Sequence, residues 1–137
     1  MDTEATRALI QRFIDARSSN DATTIADLLT DDAVWYPPAS ANLGPFTGRQ
    51  EVADALTGGA AGSILDVTTI ERHVRGVIVD GSRAVVQQRV TATARNGNDY
   101  ANEYCWIYTC RDGKVRTLEE YADTLYAGRV FGWVADD

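Results

Sequence analysis

The sequence predicts an α+β protein in which about three helices precede an antiparallel sheet. Apolar residues recur at helical spacing over Thr3–Ser18, which indicates an amphipathic helix. Later in the chain, runs rich in Val, Thr, Ile, Tyr and Trp are separated by Asp80-Gly81, Asn96-Gly97 and Asp112-Gly113, which are typical of tight hairpin turns. Helices followed by such a meander pack against one face of the sheet. The length of 137 residues fits one domain, residues 1–137.

Two short elements are predicted after the first helix. Asn20-Asp21 ends that helix and caps a second one, whose apolar residues extend to Leu29 before Asp31-Asp32 stops it. Residues 33–36 form a short strand, because Pro37-Pro38 cannot continue a hydrogen-bonded ladder.

A third helix and the sheet complete the prediction. Thr47 and Gln50 stand at the two positions of a capping box, so the helix runs from Arg49 to about Thr57 and stops at Gly58-Gly59. Asp123-Thr124 caps a short final helical turn. The four long strands are expected at roughly 65–79, 83–95, 99–110 and 115–121.

Composition limits the classes of function. The net charge of −7 and the lack of any Lys/Arg run argue against a nucleic-acid partner. No segment is apolar over the length that crosses a bilayer, and the acidic amphipathic start is unlike a signal peptide, so we expect no membrane association and a cytoplasmic location. Cys105 and Cys110 should lie on opposite faces of one strand and stay reduced. A single histidine and the absence of a Cys-x-x-Cys pair predict no metal site.

Four short motifs follow one another in an order that resembles a known group of proteins. They are Asp-Asp-Ala-Val at 31–34, Gly-Arg-x-x-Val at 48–52, Asp-Gly-Lys-Val at 112–115 and Glu-Tyr-x-Asp-Thr at 120–124. The chain resembles the SnoaL-like and nuclear transport factor 2-like superfamily, which includes polyketide cyclases, ketosteroid isomerase and limonene epoxide hydrolase. The resemblance implies a cone: a curved antiparallel sheet, made of the four-strand meander and the short first strand, wrapped around the helices with a central pocket. It also implies a homodimer and chemistry without a cofactor.

The catalytic residues of the isomerase are not matched. Phe13 stands where the resemblance places that enzyme's tyrosine, and Pro37 stands where its aspartate base is expected. Its second acid falls near Cys105 or Trp106, neither of which can serve.

The epoxide hydrolase is matched in part. Its Arg-Val-Asp segment corresponds to Arg89-Val90-Thr91, and its last-strand Asp-Tyr corresponds to Glu120-Tyr121. The arginine is kept and Glu120 takes the place of the water-activating carboxylate. Thr91 replaces the proton-donating aspartate, and an aliphatic hydroxyl is a far weaker acid.

The candidate site is built around one strand face that carries Asn102, Tyr104, Trp106 and Tyr108. A row of aromatic side chains with polar tips suits a small-molecule pocket, although cross-strand packing of aromatics is the alternative. Trp35 lines the mouth or floor of this pocket, and Phe13 is a further candidate for contact with the ligand.

Glu120 should project inward from an otherwise apolar strand face, where a carboxylate needs a partner. The resemblance points Arg89 into the cone to be that partner, together with Thr91, while strand alternation alone would leave Arg89 in solvent and Val90 in the core. Glu120 is then a general acid or base, a member of a plain buried ion pair, or a surface residue beside Glu119.

His73, the single histidine, could shuttle protons or simply face solvent, and we favour the second. The apolar C-terminal residues Val130, Phe131 and Trp133 should fold over the pocket or onto a partner subunit.

Three hypotheses about function follow. The first is a cofactor-free enzyme that performs acid/base chemistry on an apolar, oxygenated metabolite by cyclisation, isomerisation or epoxide opening. Glu120 would move the proton, Arg89 would hold it, and Tyr104 or Asn102 would bind substrate oxygen. The second is a non-catalytic small-molecule-binding protein with the same pocket. The third is an interaction protein whose sheet face is purely a dimer surface.

Overall fold

A computed structural model describes residues 1–135, and four of the five helices in that range lie in the first half of the chain. The helices are α1 (Thr3–Ser18), α2 (Ala22–Asp27), α3 (Arg49–Thr57), α4 (Ala60–Ile64) and, near the C-terminus, α5 (Thr124–Phe131). The carboxylate of Asp2 accepts a hydrogen bond from the Ala5 backbone N–H, 2.7 Å away, and so caps α1. Asp21 and Asp123 cap α2 and α5 in the same way.

Six strands form one curved sheet that stays open at both edges. They are β1 (Leu29–Tyr36), β2 (Phe46–Thr47), β3 (Glu71–Asp80), β4 (Arg83–Thr93), β5 (Asp99–Arg111) and β6 (Lys114–Ala122). Their order is β2-β1-β6-β5-β4-β3. The three predicted hairpin turns connect β3 to β4, β4 to β5 and β5 to β6, so the predicted meander is confirmed.

The sheet is mixed rather than wholly antiparallel, because β1 runs parallel to β6. Hairpin signals predict only neighbours joined by a tight turn. The parallel pair is joined by the whole stretch between Tyr36 and Lys114, which leaves no local pattern to detect.

Irregular register bends the sheet around α1. The pairing of β3 with β4 shifts between Val74 and Gly76, and that of β5 with β6 shifts between Thr109 and Cys110. Such bulges turn a strand and increase its twist. The concave face packs against the helices, with Ile10, Phe13, Val52, Val86 and Leu118 among the fully buried side chains.

Several predicted boundaries are wrong. Residues 65–70 are not strand, since a bridge at Leu65 and a 3₁₀ turn at Val67–Thr69 lead into β3. Leu29 is not the end of α2 but the first residue of β1, which is therefore twice as long as expected. The apolar residues in these segments are compatible with helix or strand, so tertiary packing decides which of the two forms.

The predicted capping box is displaced by one residue. Gly48, with φ of 93°, precedes the first turn of α3, so Glu51 rather than Gln50 occupies the third helical position. The Glu51 carboxylate accepts from the Thr47 backbone N–H at 2.6 Å, while the Gln50 side chain donates to Asp54 at 2.8 Å.

The described residues contain no helix that is both long and apolar enough to cross a membrane. Within residues 1–135, no group of His, Cys, Asp and Glu side chains could hold a metal ion. Cys105 and Cys110 are both free thiols.

Candidate active site

A cavity of about 410 Å³ lies between the concave face of the sheet and the helices. Apolar side chains from α3, α4, α5 and the loop after β1 form most of its wall. The polar groups come from the strands and from the end of α1. This combination of apolar wall and few converging polar groups is typical of small-molecule sites.

The C-terminal segment covers this cavity. Phe131 and Tyr126 of α5 stack on Tyr100, with ring centroids 4.9 and 5.7 Å apart. Asn96 and Asn98, in the turn between β4 and β5, both donate through their side-chain amides to the Val130 carbonyl. The apolar tail therefore packs over the pocket of its own chain.

Glu120 is the carboxylate of the site. It projects from β6 directly opposite Trp106 of β5, and its Oε1 accepts a hydrogen bond from the Trp35 indole N–H at 3.0 Å. Burial raises the pKa of Glu120 to about 7, even though Arg17, the Trp35 hydrogen bond and Arg72 each favour the charged form. A group with this pKa can both accept and release a proton near neutral pH.

Two arginines face the same cavity. Arg17, in the last turn of α1, is only 8% exposed, and its guanidinium carbon lies 4.5 Å from the centroid of the Trp106 ring. Arg72 of β3 donates from Nη1 to the backbone carbonyl of Arg17 at 3.1 Å. Burial and the charge of Arg17 lower the pKa of Arg72 to about 9. No ion pair joins Glu120 directly to either guanidinium within the described chain, so they act on it across the cavity.

A hydrogen-bond relay supports one tyrosine. The Asn102 side-chain oxygen accepts from the Glu103 backbone N–H at 2.8 Å, which fixes the amide so that its nitrogen donates to the Tyr100 hydroxyl at 2.9 Å. Tyr100 and Tyr104 then share a hydrogen bond through their hydroxyls. Either hydroxyl can donate in this bond, and when Tyr100 donates, the proton of Tyr104 is left for the cavity. Burial raises the pKa of both phenols, so both stay protonated.

Glu120, Trp35, Tyr104 and Trp106 thus lie together at the cavity wall. Their contacts with a ligand stay predictions. Asn102 is buried and acts through Tyr100 rather than lining the cavity itself.

The predicted pairing of Arg89 with Glu120 is wrong. The Arg89 side chain is 48% exposed on the convex face, where its Nη1 lies 3.2 Å from the Glu103 carboxylate. β4 pairs with β5 without a register shift, so strict alternation turns Gln88 and Val90 inward and Arg89 outward. Thr91 alternates with Val90 and shares the outward side, which removes the second hydrolase-like residue from the cavity.

The expectation for Phe13 is corrected, whereas His73 faces solvent, which the sequence favoured over a role in proton transfer. Phe13 is fully buried in the core, packed edge-to-face on Tyr108 with centroids 5.5 Å apart, and it does not line the cavity. His73 is 62% exposed and lies 3.8 Å from the Glu71 carboxylate, on the outside of the sheet. Its register partner is Arg89, so the same alternation that removes Arg89 also removes His73.

Arg17 and Arg72 are the site residues that the sequence analysis missed. Arg17 carried a signal, because it is a charged residue at the end of the apolar stripe of α1. Arg72 carried none. The side chain of Val77 faces inward, and regular alternation from Val77 back along β3 would make Arg72 face outward. The register shift between Val74 and Gly76 reverses this, so Arg72 faces inward.

A family model decides the relationship of this chain to known proteins. The model of the SnoaL-like domain matches residues 10–118. The chain belongs to the SnoaL-like family. Solved structures share the fold of this chain, whereas no curated protein matches the sequence.

Three structural neighbours illustrate the range of this SnoaL-like fold. An LEH-like epoxide hydrolase from M. tuberculosis is 16% identical, with a TM-score of 0.74 over 96% of this chain and 92% of its own. TerC, crystallised with polyporic acid, is 19% identical, with a TM-score of 0.80 over 93% and 98%. A protein described as a SnoaL-like polyketide cyclase, from Jannaschia sp. CCS1, is 15% identical, with a TM-score of 0.80 over 97% and 95%. At these identities the likeness concerns the fold.

Proposed function

We propose that the protein is a cofactor-free enzyme in which Glu120 moves a proton to and from an apolar, oxygenated metabolite. The observation that carries this proposal is a partly buried carboxylate that lines an apolar cavity and has its pKa raised to about 7. Perturbed carboxylates in clefts are common at catalytic sites, because a general base works best when its pKa lies near the working pH.

The arrangement favours proton transfer at carbon over epoxide opening. Arg89 and Thr91, which would accompany Glu120 in a hydrolase-like site, lie outside the cavity. Glu120 instead shares it with the hydroxyl of Tyr104, a donor suited to a substrate carbonyl.

The reaction we propose starts at a carbon next to that carbonyl. Glu120 takes a proton from the carbon, and the electron pair of the C–H bond moves into the carbonyl to form an enolate, which the Tyr104 hydroxyl stabilises. Where a C=C bond adjoins that carbon the anion is a dienolate, and returning the proton to its far carbon shifts the double bond and isomerises the substrate. Attack of the enolate carbon on a second carbonyl, followed by protonation of the new alkoxide by Glu120, cyclises it. Two structural neighbours, one described as a polyketide cyclase and the other as TerC crystallised with polyporic acid, support an organic substrate.

Deuterium exchange tests this step without knowledge of the natural substrate. We expect the protein to accelerate α-proton exchange in D₂O of 2-tetralone, an apolar ketone, or of 3-benzoylpropionate, a keto acid, as followed by NMR. Glu120→Gln should lower the enzymatic rate about 100-fold or more. Glu119→Gln, which changes the neighbouring carboxylate on the other side of β6, is the matched control and should keep the rate.

The alternative of a binding protein predicts a different result. Both probes would then bind with equal affinity to wild type and Glu120→Gln, and neither protein would accelerate exchange. That result would refute catalysis by Glu120.

The homodimer and the cytoplasmic location are also part of the proposal. Ile78 and Tyr121 are 66% and 54% exposed, and their exposure supports a second subunit on the sheet. Light scattering in solution measures the assembly directly.

A further inference from the structure

The cavity contains more positive than negative charge. Arg17 and Arg72 both face it, and Glu120 is its single carboxylate among the lining residues of the described chain. Arg72 remains charged at neutral pH because its pKa, although lowered, is about 9. With Glu120 ionised the three side chains carry one excess positive charge, and with Glu120 protonated they carry two. Buried charge without a counter-ion is strongly unfavourable, so this arrangement calls for an anion.

Three buried donors in the cavity wall have no acceptor within the described chain. They are Nη1 of Arg17, Nε of Arg72 and the indole N–H of Trp106. Arg17 is only 8% exposed and Trp106 only 2% exposed. Nearly all buried donors in folded proteins find a partner, so three without one, on residues that line the same cavity, favour a ligand that supplies acceptor atoms.

Contacts with Arg17 link the three residues that carry these donors. The guanidinium of Arg17 stacks over the ring of Trp106, and Arg72 is tied by Nη1 to the backbone of Arg17. Two planar guanidinium groups and an indole thus belong to linked residues of the same cavity wall. Guanidinium groups match the two oxygens of a carboxylate, which accepts several hydrogen bonds at once.

We infer that the cavity binds an apolar organic acid, with the ligand's carboxylate held by Arg17, Arg72 and Trp106 and its carbon skeleton packed on the apolar wall. A neutral ketone could satisfy one or two of these donors but could not balance the charge. This inference rests on the proposed function, because it names the substrate class of the same site. It requires only binding, whereas the proposed function requires proton transfer by Glu120.

Matched pairs of acids and amides test the inference. We would titrate the protein at neutral pH by calorimetry with 1-naphthoate and 1-naphthamide, and with biphenyl-4-carboxylate and biphenyl-4-carboxamide. Each pair has the same skeleton and differs mainly in charge. At least one acid should bind about tenfold or more tightly than its amide, because hydrogen bonds to a charged group are the stronger ones.

Variants identify the residues responsible. Arg17→Gln and Arg72→Gln should each reduce the preference for the acid while leaving amide binding nearly unchanged. Arg89→Gln removes the same charge from the convex face and should keep the preference. If Arg17→Gln fails to fold, Arg72→Gln and Arg72→Lys still decide, since lysine keeps the charge but loses the planar pair of donors.

The outcomes separate this inference from the proposed function. Acids that bind no better than amides, a preference that survives in Arg72→Gln, or no binding of any probe up to its solubility would overturn the inference. The preference should persist in Glu120→Gln. If Glu120→Gln keeps both the preference and the wild-type exchange rate, the inference stands and the proposed function fails.

Discussion

Replacing Glu120 by Gln should change how the stability of the protein depends on pH. Glu120 is partly buried beside Trp35, and loss of solvent around the carboxyl raises its pKa from 4.5 to about 7 in the folded state. In the unfolded chain the carboxyl is in water and titrates near its ordinary value. Between these two pKa values the folded protein therefore binds more protons than the unfolded chain does.

The sign and the size of the change in unfolding free energy follow from this difference in proton binding. The free energy of unfolding falls as the pH rises wherever the folded state binds more protons, so Glu120 costs stability as it ionises. A change from 4.5 to about 7 corresponds to roughly 3 kcal/mol in total, at about 1.4 kcal/mol for each tenfold change in acidity. Roughly 2.5 kcal/mol of this falls between about pH 5 and about pH 8, because the unfolded carboxyl is already largely ionised at the lower pH.

Urea unfolding followed by circular dichroism at several pH values measures the effect. We expect Glu120→Gln to gain roughly 2.5 kcal/mol relative to wild type on going from about pH 5 to about pH 8. Glu119→Gln, on the other side of β6, should keep the wild-type dependence on pH. Parallel curves for wild type and Glu120→Gln across this range would refute the assignment of a buried, proton-binding carboxyl at this position.

Two further predictions concern the relay and the cover of the cavity. Tyr100→Phe removes the hydroxyl that Asn102 donates to, and should cost about 1–2 kcal/mol of unfolding free energy in urea titrations. The exposed Tyr121→Phe should cost less than about 0.5 kcal/mol, and equal losses would show that the relay contributes nothing. Gly128→Ala would place a Cβ 2.7 Å from the Val134 side chain, so we expect a loss of about 1 kcal/mol and faster proteolysis after α5. Gly62→Ala, in α4, meets only ordinary contacts and should be neutral or slightly stabilising; a loss there as large as that of Gly128→Ala would contradict this explanation.

The error at Arg89 shows how a resemblance and a local pattern can disagree. The motif Arg89-Val90-Thr91 resembles a hydrolase segment whose arginine would face the pocket. Alternation along β4 turned Arg89 outward, and in an unbroken strand the local geometry prevails. The positive charge of the cavity comes instead from Arg17 and Arg72, which no motif connects.

The sequence by itself determined the parts of this protein that depend on neighbouring residues. Helical spacing defines α1, Asp-Gly and Asn-Gly pairs define the three hairpins, and alternation along β5 places Tyr104 and Trp106 on the concave face. These features are local, because each is decided by residues within one or two turns of helix or a few positions of a strand.

Only the tertiary structure decided which charged groups share the cavity. The end of α1 brings Arg17 onto Trp106, a register shift in β3 turns Arg72 inward, and the parallel pairing of β1 with β6 sets Trp35 against Glu120. Each of these contacts joins residues far apart in the chain, and the pKa of Glu120 depends on the burial that they create together. The burial of a side chain, and whether it points into the cavity, depend on how the whole chain packs. No short pattern in the sequence therefore records them.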